Sequence, residues 1–483
     1  MVITRGMGTV DSKLRLGTAA GRGTLAAAIL ASGMAFLDST VVNVALPALG
    51  RDLNASMAQL QWVVNGYTLT LAAFVLLGGA LGDRYGRRRI FLLGVVWFTV
   101  ASLACGLAQE PNSLIIARVV QGVGAALLTP GSLALIQASF EHDERGRAIG
   151  AWSGLSGVTT ALGPFIGGVL IDQASWRWIF FMNLPLAAGV LVLSAKWVPE
   201  SSDPGASGRF DFGGALLGAL ALAGLTYGLI SPGLGGWVAF GVAAVTGVAF
   251  VLVERALRNR AMMPLHLFAN RVFARLNIYT VIVYGAFGGL FFLLVIFLQN
   301  VLGYSALEAG VATLPITLML LLFSARSGAL AQKIGPRPQL VAGPLLCAGG
   351  ALWLRWAGEN YWTTVLPGVL VFSIGLTALV APLTTAVLGA LADRFAGVAS
   401  GINNAAARAG SLIAVAALPL LVGLAGSEYA QPGPLTSSYR SAAVWCAAFL
   451  AVGGLIALTL PKRTRTTADQ GADEDQSTSM GSS

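Results

Sequence analysis

The sequence predicts an all-α membrane protein of about fourteen spanning helices, and three observations predict it. Of its 483 residues 56% are hydrophobic and 11% charged, whereas an ordinary soluble domain carries roughly 25% charged residues. Apolar runs of about twenty residues, the length that crosses a hydrocarbon core of roughly 30 Å as helix, recur from Thr24 to Leu460. The basic residues fall on alternate connections between those runs.

The first span, 24–46, follows Arg5, Lys13, Arg15 and Arg22. A basic segment before an apolar one resembles a secretion signal, but this stretch is too long and contains Asp38, so it is read as retained. Spans at 58–82, 90–108, 113–136, 147–171 and 179–197 complete a first group of six, and 212–230 and 236–253 form a central pair. A second group of six falls at 276–299, 308–326, 339–357, 362–388, 398–424 and 440–460. The resulting division is an N-terminal segment 1–23, a six-helix half 24–197, two inserted helices 198–253, a linker 254–275, a second half 276–460 and a tail 461–483. The linker, ERALRNRAMMPLHLFANRVFAR, mixes Arg with Leu, Phe and Met and is expected to lie on the membrane surface. The tail is acidic and polar with almost nothing to bury, so disorder is expected there.

The formal charge of +9 raises the question of nucleic acid, and its distribution answers it. With the N-terminus in the cytoplasm, about 24 of the 30 Lys and Arg lie on the cytoplasmic side and about four outside. Both termini are therefore expected in the cytoplasm, and no nucleic-acid partner is expected. Cys105, Cys347 and Cys446 lie within spans, are odd in number and lack ligand spacing, so they are read as packing residues and no metal is expected. His142 and His266 fall in loops, and no nucleophile with its base and no GxxxxGK[ST] stretch occurs, which excludes the common enzyme classes and ATP drive. No cofactor is expected.

Gly79 to Arg88 reads GALGDRYGRR, and Gly328 to Arg337 reads GALAQKIGPR, a worn copy at the matching place after the second span of each half. Repeated halves around a midplane site are a common transporter architecture. In the first copy Gly82 and Gly86 permit a tight turn, while Arg87, Arg88 and Arg89 suit anionic headgroups. Asp83 is the odd residue, expected to pair locally or to sit against the positive N-terminal end of span 13 near Gly397, latching one face shut.

This loop resembles the loop 2–3 signature of the major facilitator superfamily, carried by Gly79, Asp83, Arg84, Gly86, Arg87 and Arg88. Further stretches resemble its fourteen-span drug:proton antiporter family, the Emr/Qac type: LDSTVVNVALP from Leu37, RVVQGVGAALLTP from Arg118, WRWIFFMNLP from Trp176 and SGINNAAARAG from Ser400. The fifth-span antiporter motif is present as Gly150, Gly163, Pro164, Gly167 and Gly168, with Thr159 where the pattern usually has glycine. The resemblance implies the superfamily fold, two six-helix halves plus two inserted helices, and proton-driven export of lipophilic drugs from the inner membrane of a bacterium. It also implies a monomer whose partners are small lipophilic substrates, protons and the bilayer.

Asp38 of span 1 and Arg118 of span 4 fall at similar depth when counted at about 1.5 Å per residue. An intramembrane acid and base must face the interior and find partners, so the pair is the expected proton-coupling site. Desolvation would raise the affinity of Asp38 for a proton and a nearby Arg118 would lower it, so a changing distance would load and unload the carboxylate. In the resembling family these two positions are implicated in that coupling. Since Asp38 is the only deep acid, one proton per cycle and a monocationic or neutral lipophile are expected. Gln61, Trp62, Asn65 and Tyr67 of span 2, Tyr284 and Phe287 of span 9 with Tyr279, Phe291 and Phe292 beside them, and Asn403 and Arg408 of span 13 are candidate substrate contacts. Arg408 is alternatively expected to snorkel to the cytoplasmic edge. Export of a lipid or an endogenous metabolite, and nutrient import by symport, are the competing readings.

Overall fold

The computed structural model describes residues 13–202, 211–258, 261–392 and 395–461. Arg5 and the acidic tail lie outside them. Fourteen long helices follow one another: α1 (Ala19–Asp52), α2 (Met57–Tyr85), α3 (Arg87–Leu107), α4 (Pro111–Ser139), α5 (His142–Gln173), α6 (Trp178–Trp197), α7 (Phe212–Ile230), α8 (Leu234–Leu257), α9 (Arg271–Asn300), α10 (Ala306–Ile334), α11 (Arg337–Leu354), α12 (Tyr361–Gly389), α13 (Ala396–Leu421) and α14 (Pro432–Leu458). Thirteen are long and apolar enough to cross a membrane. The other, α11, has only 18 residues and carries Arg337 and Gln339 in its first turn, yet packs between α12 and α14.

Starts and stops obey local chemistry. Ser56 and Ser305 cap α2 and α10 with reciprocal capping boxes to Gln59 and Glu308, and Pro opens α4. The two copies of the repeated loop turn at equivalent glycines, Gly86 at φ 109° and Gly335 at φ 84°. Gly82, expected in the turn, is instead helical inside α2. The first loop is fastened to its own half: Arg87 pairs with Asp83 at 2.8 Å, the Arg87 N–H donates to Ser201 O, and the Arg88 N–H donates to Glu200. Asp83 thus makes the local contact and does not reach the start of α13, where space beside Gly397 is open.

The linker also departs from expectation. Its described part forms one short 3-10 turn, Leu265–Ala269, and Met262, Met263 and Phe268 turn inward to line an apolar side pocket of about 470 Å³ with α2, α7, α9 and α13. Glu254 and Asp211 hold it there by accepting the Met263 and Met262 N–H groups.

The halves meet through α5 on α10, α2 on α13 and α1 on α9. The side carrying the repeated loops and both ends of the described chain, Lys13 and Pro461, is the basic face. Toward the opposite face, Asp172 accepts from the Ala306 and Leu307 N–H groups at 3.1 and 2.8 Å, Gln61 donates to Val415 O and Ala416 O, and Gln299 donates to Val44 O. Tyr429 closes the same end by donating to Ala55 O at 2.6 Å. Toward the basic face α5 stays packed on α1, where Trp152 donates to Ser32 Oγ, while open space lies beside Gly146, Gly150, Gly154 and Gly157. The halves are therefore sealed at the opposite face and parted along α5 at the basic one.

Gly86→Ala places a Cβ at positive φ and against Glu200, and is expected to cost about 1–2 kcal/mol. Gly82→Ala, helical and uncrowded, should be neutral or stabilising by up to about 1 kcal/mol. Thermal melting of the two variants in detergent compares them directly.

Candidate functional site

Asp38 and Arg118 do meet. The α1 carboxylate and the α4 guanidinium are each 1% exposed, with Arg118 Nη1 2.5 Å from Asp38 Oδ2. A buried ion pair survives only when its remaining donors and acceptors are met. Here Gln121 Nε2 donates to Asp38 Oδ1 at 2.8 Å and Asn183 Nδ2 reaches the same oxygen at 3.5 Å. Arg118 Nη1 also donates to Gln121 Oε1 at 2.6 Å, and its Nε donates to Val63 O of α2 at 3.2 Å. Its flat face lies 4.2 Å from the Tyr67 ring centre, an arrangement favourable for a desolvated cation. Asn183 is itself held by Ser102 of α3 at 3.0 Å, and Ser102 donates to Phe180 O. Five helices of the N-terminal half are thereby tied to one carboxylate.

Gln121, Asn183 and Ser102 carried no assigned role in the sequence. The signal was present for two of them: Gln121 stands one helical turn after Arg118 in RVVQG, and Asn183 within FFMNLP. The WRW part of the same motif works elsewhere, since Trp176 and Arg177 both donate to Asp52 at the end of α1, at 2.7 and 2.9 Å.

The span 5 glycines are contact points, and the contacts differ along the helix. A Cβ on Gly163 would strike Thr40 of α1, on Gly167 it would lie 2.7 Å from Val41, and on Gly168 it would enter the Leu307 backbone of α10. Gly310 of α10 meets the Pro164 carbonyl in return, whereas Gly150 touches nothing. Thr159, the departure from the family pattern, is accommodated by Gly33 opposite, whose Cβ position lies 3.2 Å from the Thr159 methyl.

The candidate substrate contacts separate into groups. Tyr67 is buried over Arg118 and donates to Ala35 O, Gln61 is spent on the α2–α13 junction, and Asn403 donates to Asn277 and Thr280 of α9. Trp62 packs toward Tyr227 of the inserted α7, at 6.3 Å between rings. Asn65 is fully buried with neither amide atom hydrogen-bonded. Tyr279 and Phe292 are core residues, the former donating to Leu340 O. Tyr284, Phe287 and Phe291 remain partly exposed at helical spacing, and the two Phe rings flank Phe372 of α12 at 5.9 and 5.5 Å. Arg408 is not at the membrane edge: it lies about 18 Å along α13 from its first residue, partly buried.

Two packed helical halves, a buried acid–base centre in one of them and close glycine contacts between them define a membrane transporter rather than an enzyme. The chain belongs to the Major Facilitator Superfamily, whose family model matches residues 28–415 and again 276–480. It is 39% identical over 402 residues to the multidrug resistance protein Stp of Mycobacterium tuberculosis, covering 82% of this chain and 74% of that protein. It is 36% identical over 408 residues to the tetracenomycin C resistance and export protein of Streptomyces glaucescens, covering 83% and 75%. In fold it is similar to the crystal structure of a POT peptide transporter in complex with sulfate, with a TM-score of 0.71 over 93% of this chain and 96% of that one, at 13% identity.

Arg118→Met strands the Asp38 carboxylate and is expected to cost about 3–5 kcal/mol, whereas adding Asp38→Asn should recover most of that loss. A double-mutant cycle by chemical denaturation in detergent reads the coupling. Gly168→Leu is expected to hold the opposite face open, seen as faster hydrogen exchange in the first turn of α10 than in the unaltered protein.

Proposed function

We propose that this chain is a drug:proton antiporter of the bacterial inner membrane that exports lipophilic antibiotic-like compounds, with its basic face in the cytoplasm. The single observation that carries the proposal is the buried Asp38–Arg118 pair with its Gln121 and Asn183 partners. The orientation rests on the excess of Lys and Arg at that face. The printed functions of the relatives, multidrug resistance and tetracenomycin C resistance and export, support the substrate class.

Protonation turns Asp38 from a two-oxygen acceptor of charge-assisted bonds into a neutral acid, and its hold on Arg118 weakens. Arg118 is bonded to Val63 O and stacked on Tyr67, so the released guanidinium bears directly on α2. The same helix carries Gln61, whose bonds to α13 help seal the opposite face. A proton arriving from outside would thus bias the contact between the halves. Its loss to the cytoplasm would restore the pair, and each state would bind substrate from a different side. In this scheme Pro164, inside α5 where the helix leaves α10, is the bend about which the basic end opens.

A second reading keeps the machinery and changes the cargo to a metabolite made by the host itself. It is favoured by the relative whose name joins resistance to export.

Inverted membrane vesicles with an imposed pH gradient and a panel of cationic, neutral and anionic lipophilic dyes test the proposal. Unaltered protein is expected to accumulate at least one dye in an uncoupler-sensitive way, and Asp38→Asn to lose at least about tenfold in rate, about 1.4 kcal/mol, while still binding it. Equal transport by both proteins would remove Asp38 as the proton carrier. Metabolite changes in a deletion strain, without any dye transport, would favour the second reading.

A further inference from the structure

The proposed export cycle leaves one ionised group of the membrane interior without a role, and it is a cation. Arg408 stands near the middle of α13, about 18 Å from its first residue and about 20 Å from its last. Successive residues of a helix point 100° apart, so the surroundings of α13 can be divided by face. Asn403 and Gly410 face α9, through hydrogen bonds to Asn277 and Thr280 and through close approach to Val281. Ile402, Ala405, Ala406 and Ala409 line the apolar side pocket beside α7. Gly401 faces Leu76 of α2. Arg408, seven residues on and only about 20° round from Gly401, shares that α2-facing side with Asn404 next to it, so it is turned toward the other half of the molecule.

Among the described residues Arg408 has no hydrogen bond and no ion pair. Its side chain is partly exposed. Asn404 on the same face returns its amide to Ser400 O at 3.0 Å. The one deep carboxylate is no counter-ion for it, because Asp38 is enclosed by Arg118, Gln121 and Asn183 within the other half. The acid–base pair cancels, and the uncompensated charge at this depth is positive. That is the reverse of what a cation exporter requires.

An intramembrane guanidinium without a partner is costly unless water or a ligand supplies acceptors. Its planar fork of donors matches a carboxylate or sulfonate in two parallel hydrogen bonds. The adjoining α9 packs on α13 through Gly285 and Gly410 and exposes Tyr284, Phe287 and Phe291 on one stripe. A fork for an anion turned toward the opposite half, among long apolar helices, describes a ligand with an acidic group on a lipophilic body. We infer that Arg408 is the anion-recognition residue of the central cavity and that the exported compound is a lipophilic organic anion. This replaces the expectation of a monocationic or neutral substrate, which rested on Asp38 being the only deep acid. It rests on the export reading for its direction of transport, but not for binding. With one proton entering and one monoanion leaving, each cycle carries two charges inward, whereas proton-for-monocation exchange carries none. Export would then be driven by the membrane potential as well as by the pH gradient.

The test uses two xanthene dyes of similar size and opposite charge, fluorescein and tetramethylrhodamine methyl ester. Their binding to the solubilised full chain is followed by fluorescence anisotropy, and their uptake into inverted vesicles with and without an imposed potential. Unaltered protein is expected to hold fluorescein more tightly than the rhodamine ester. Arg408→Gln should weaken fluorescein at least about tenfold while leaving the ester unchanged or tighter, and Arg408→Lys should keep much of the fluorescein affinity. Potential-stimulated fluorescein uptake lost in Arg408→Gln and retained in Arg408→Lys would support the inference further. Unaltered protein that holds fluorescein no better than the ester overturns it, and so does an Arg408→Gln variant that weakens both dyes alike. The two proposals fail separately: if Asp38→Asn leaves transport intact while Arg408→Gln still abolishes fluorescein binding, proton exchange at Asp38 is wrong and anion recognition stands.

Discussion

A carboxylate and a guanidinium enclosed in the apolar interior of the N-terminal half impose the constraint on which the rest of this structure depends. Neither ion is tolerable there alone, and together they are tolerable only with their other hydrogen-bonding positions met. Gln121 and Asn183 meet those of Asp38, while Val63 O and the Tyr67 ring serve Arg118. Meeting them fixes how α1, α2, α3, α4 and α6 sit against one another. The half is therefore rigid for the same reason that it can respond to a proton: one change of charge at Asp38 alters the needs of every group around it.

The contact between the halves is built differently. Gly168 and Gly310 bring the backbones of α5 and α10 into near contact, and such surfaces are held by packing with few directional bonds. A handful of polar contacts closes the opposite face, among them Asp172 on the first N–H groups of α10, where a carboxylate meets the positive end of a helix. Contacts of this kind can be exchanged for similar ones at the other face without dismantling either half. The expected latch by Asp83 against α13 would be such an alternative, and its absence at an open basic face is consistent with Asp172 holding the opposite one.

The two halves also divide the electrostatics. The N-terminal half keeps its acid and base together, out of contact with solvent, whereas the C-terminal half carries an Arg408 without an ion pair among the described residues and an aromatic stripe. In the proposed cycle the proton site and the ligand site are separate, so the two would not compete for one position. They can communicate through α2, which contacts Arg118 through Val63 and Tyr67 and meets α13 through Gln61.

The sequence by itself determined the number of helices, their approximate ends, the repeated loops and the pairing of Asp38 with Arg118. These follow from local quantities: twenty apolar residues must span a bilayer, glycine permits positive φ at Gly86 and Gly335, and a lone intramembrane acid demands a cation. Only the tertiary structure decided which polar side chains were already spent. Gln61, Tyr67 and Asn403 look like substrate contacts along a helix, but each is committed to a group distant in the chain, Val415 O, Arg118 and Asn277. Asp83 chose Arg87 over α13, and Arg408 remained in the interior instead of reaching the membrane edge, because helix rotation and the separation of the halves set which partner lies within hydrogen-bonding distance. Composition and spacing state what a residue needs; the packing of helices far apart in sequence states whether that need has been met.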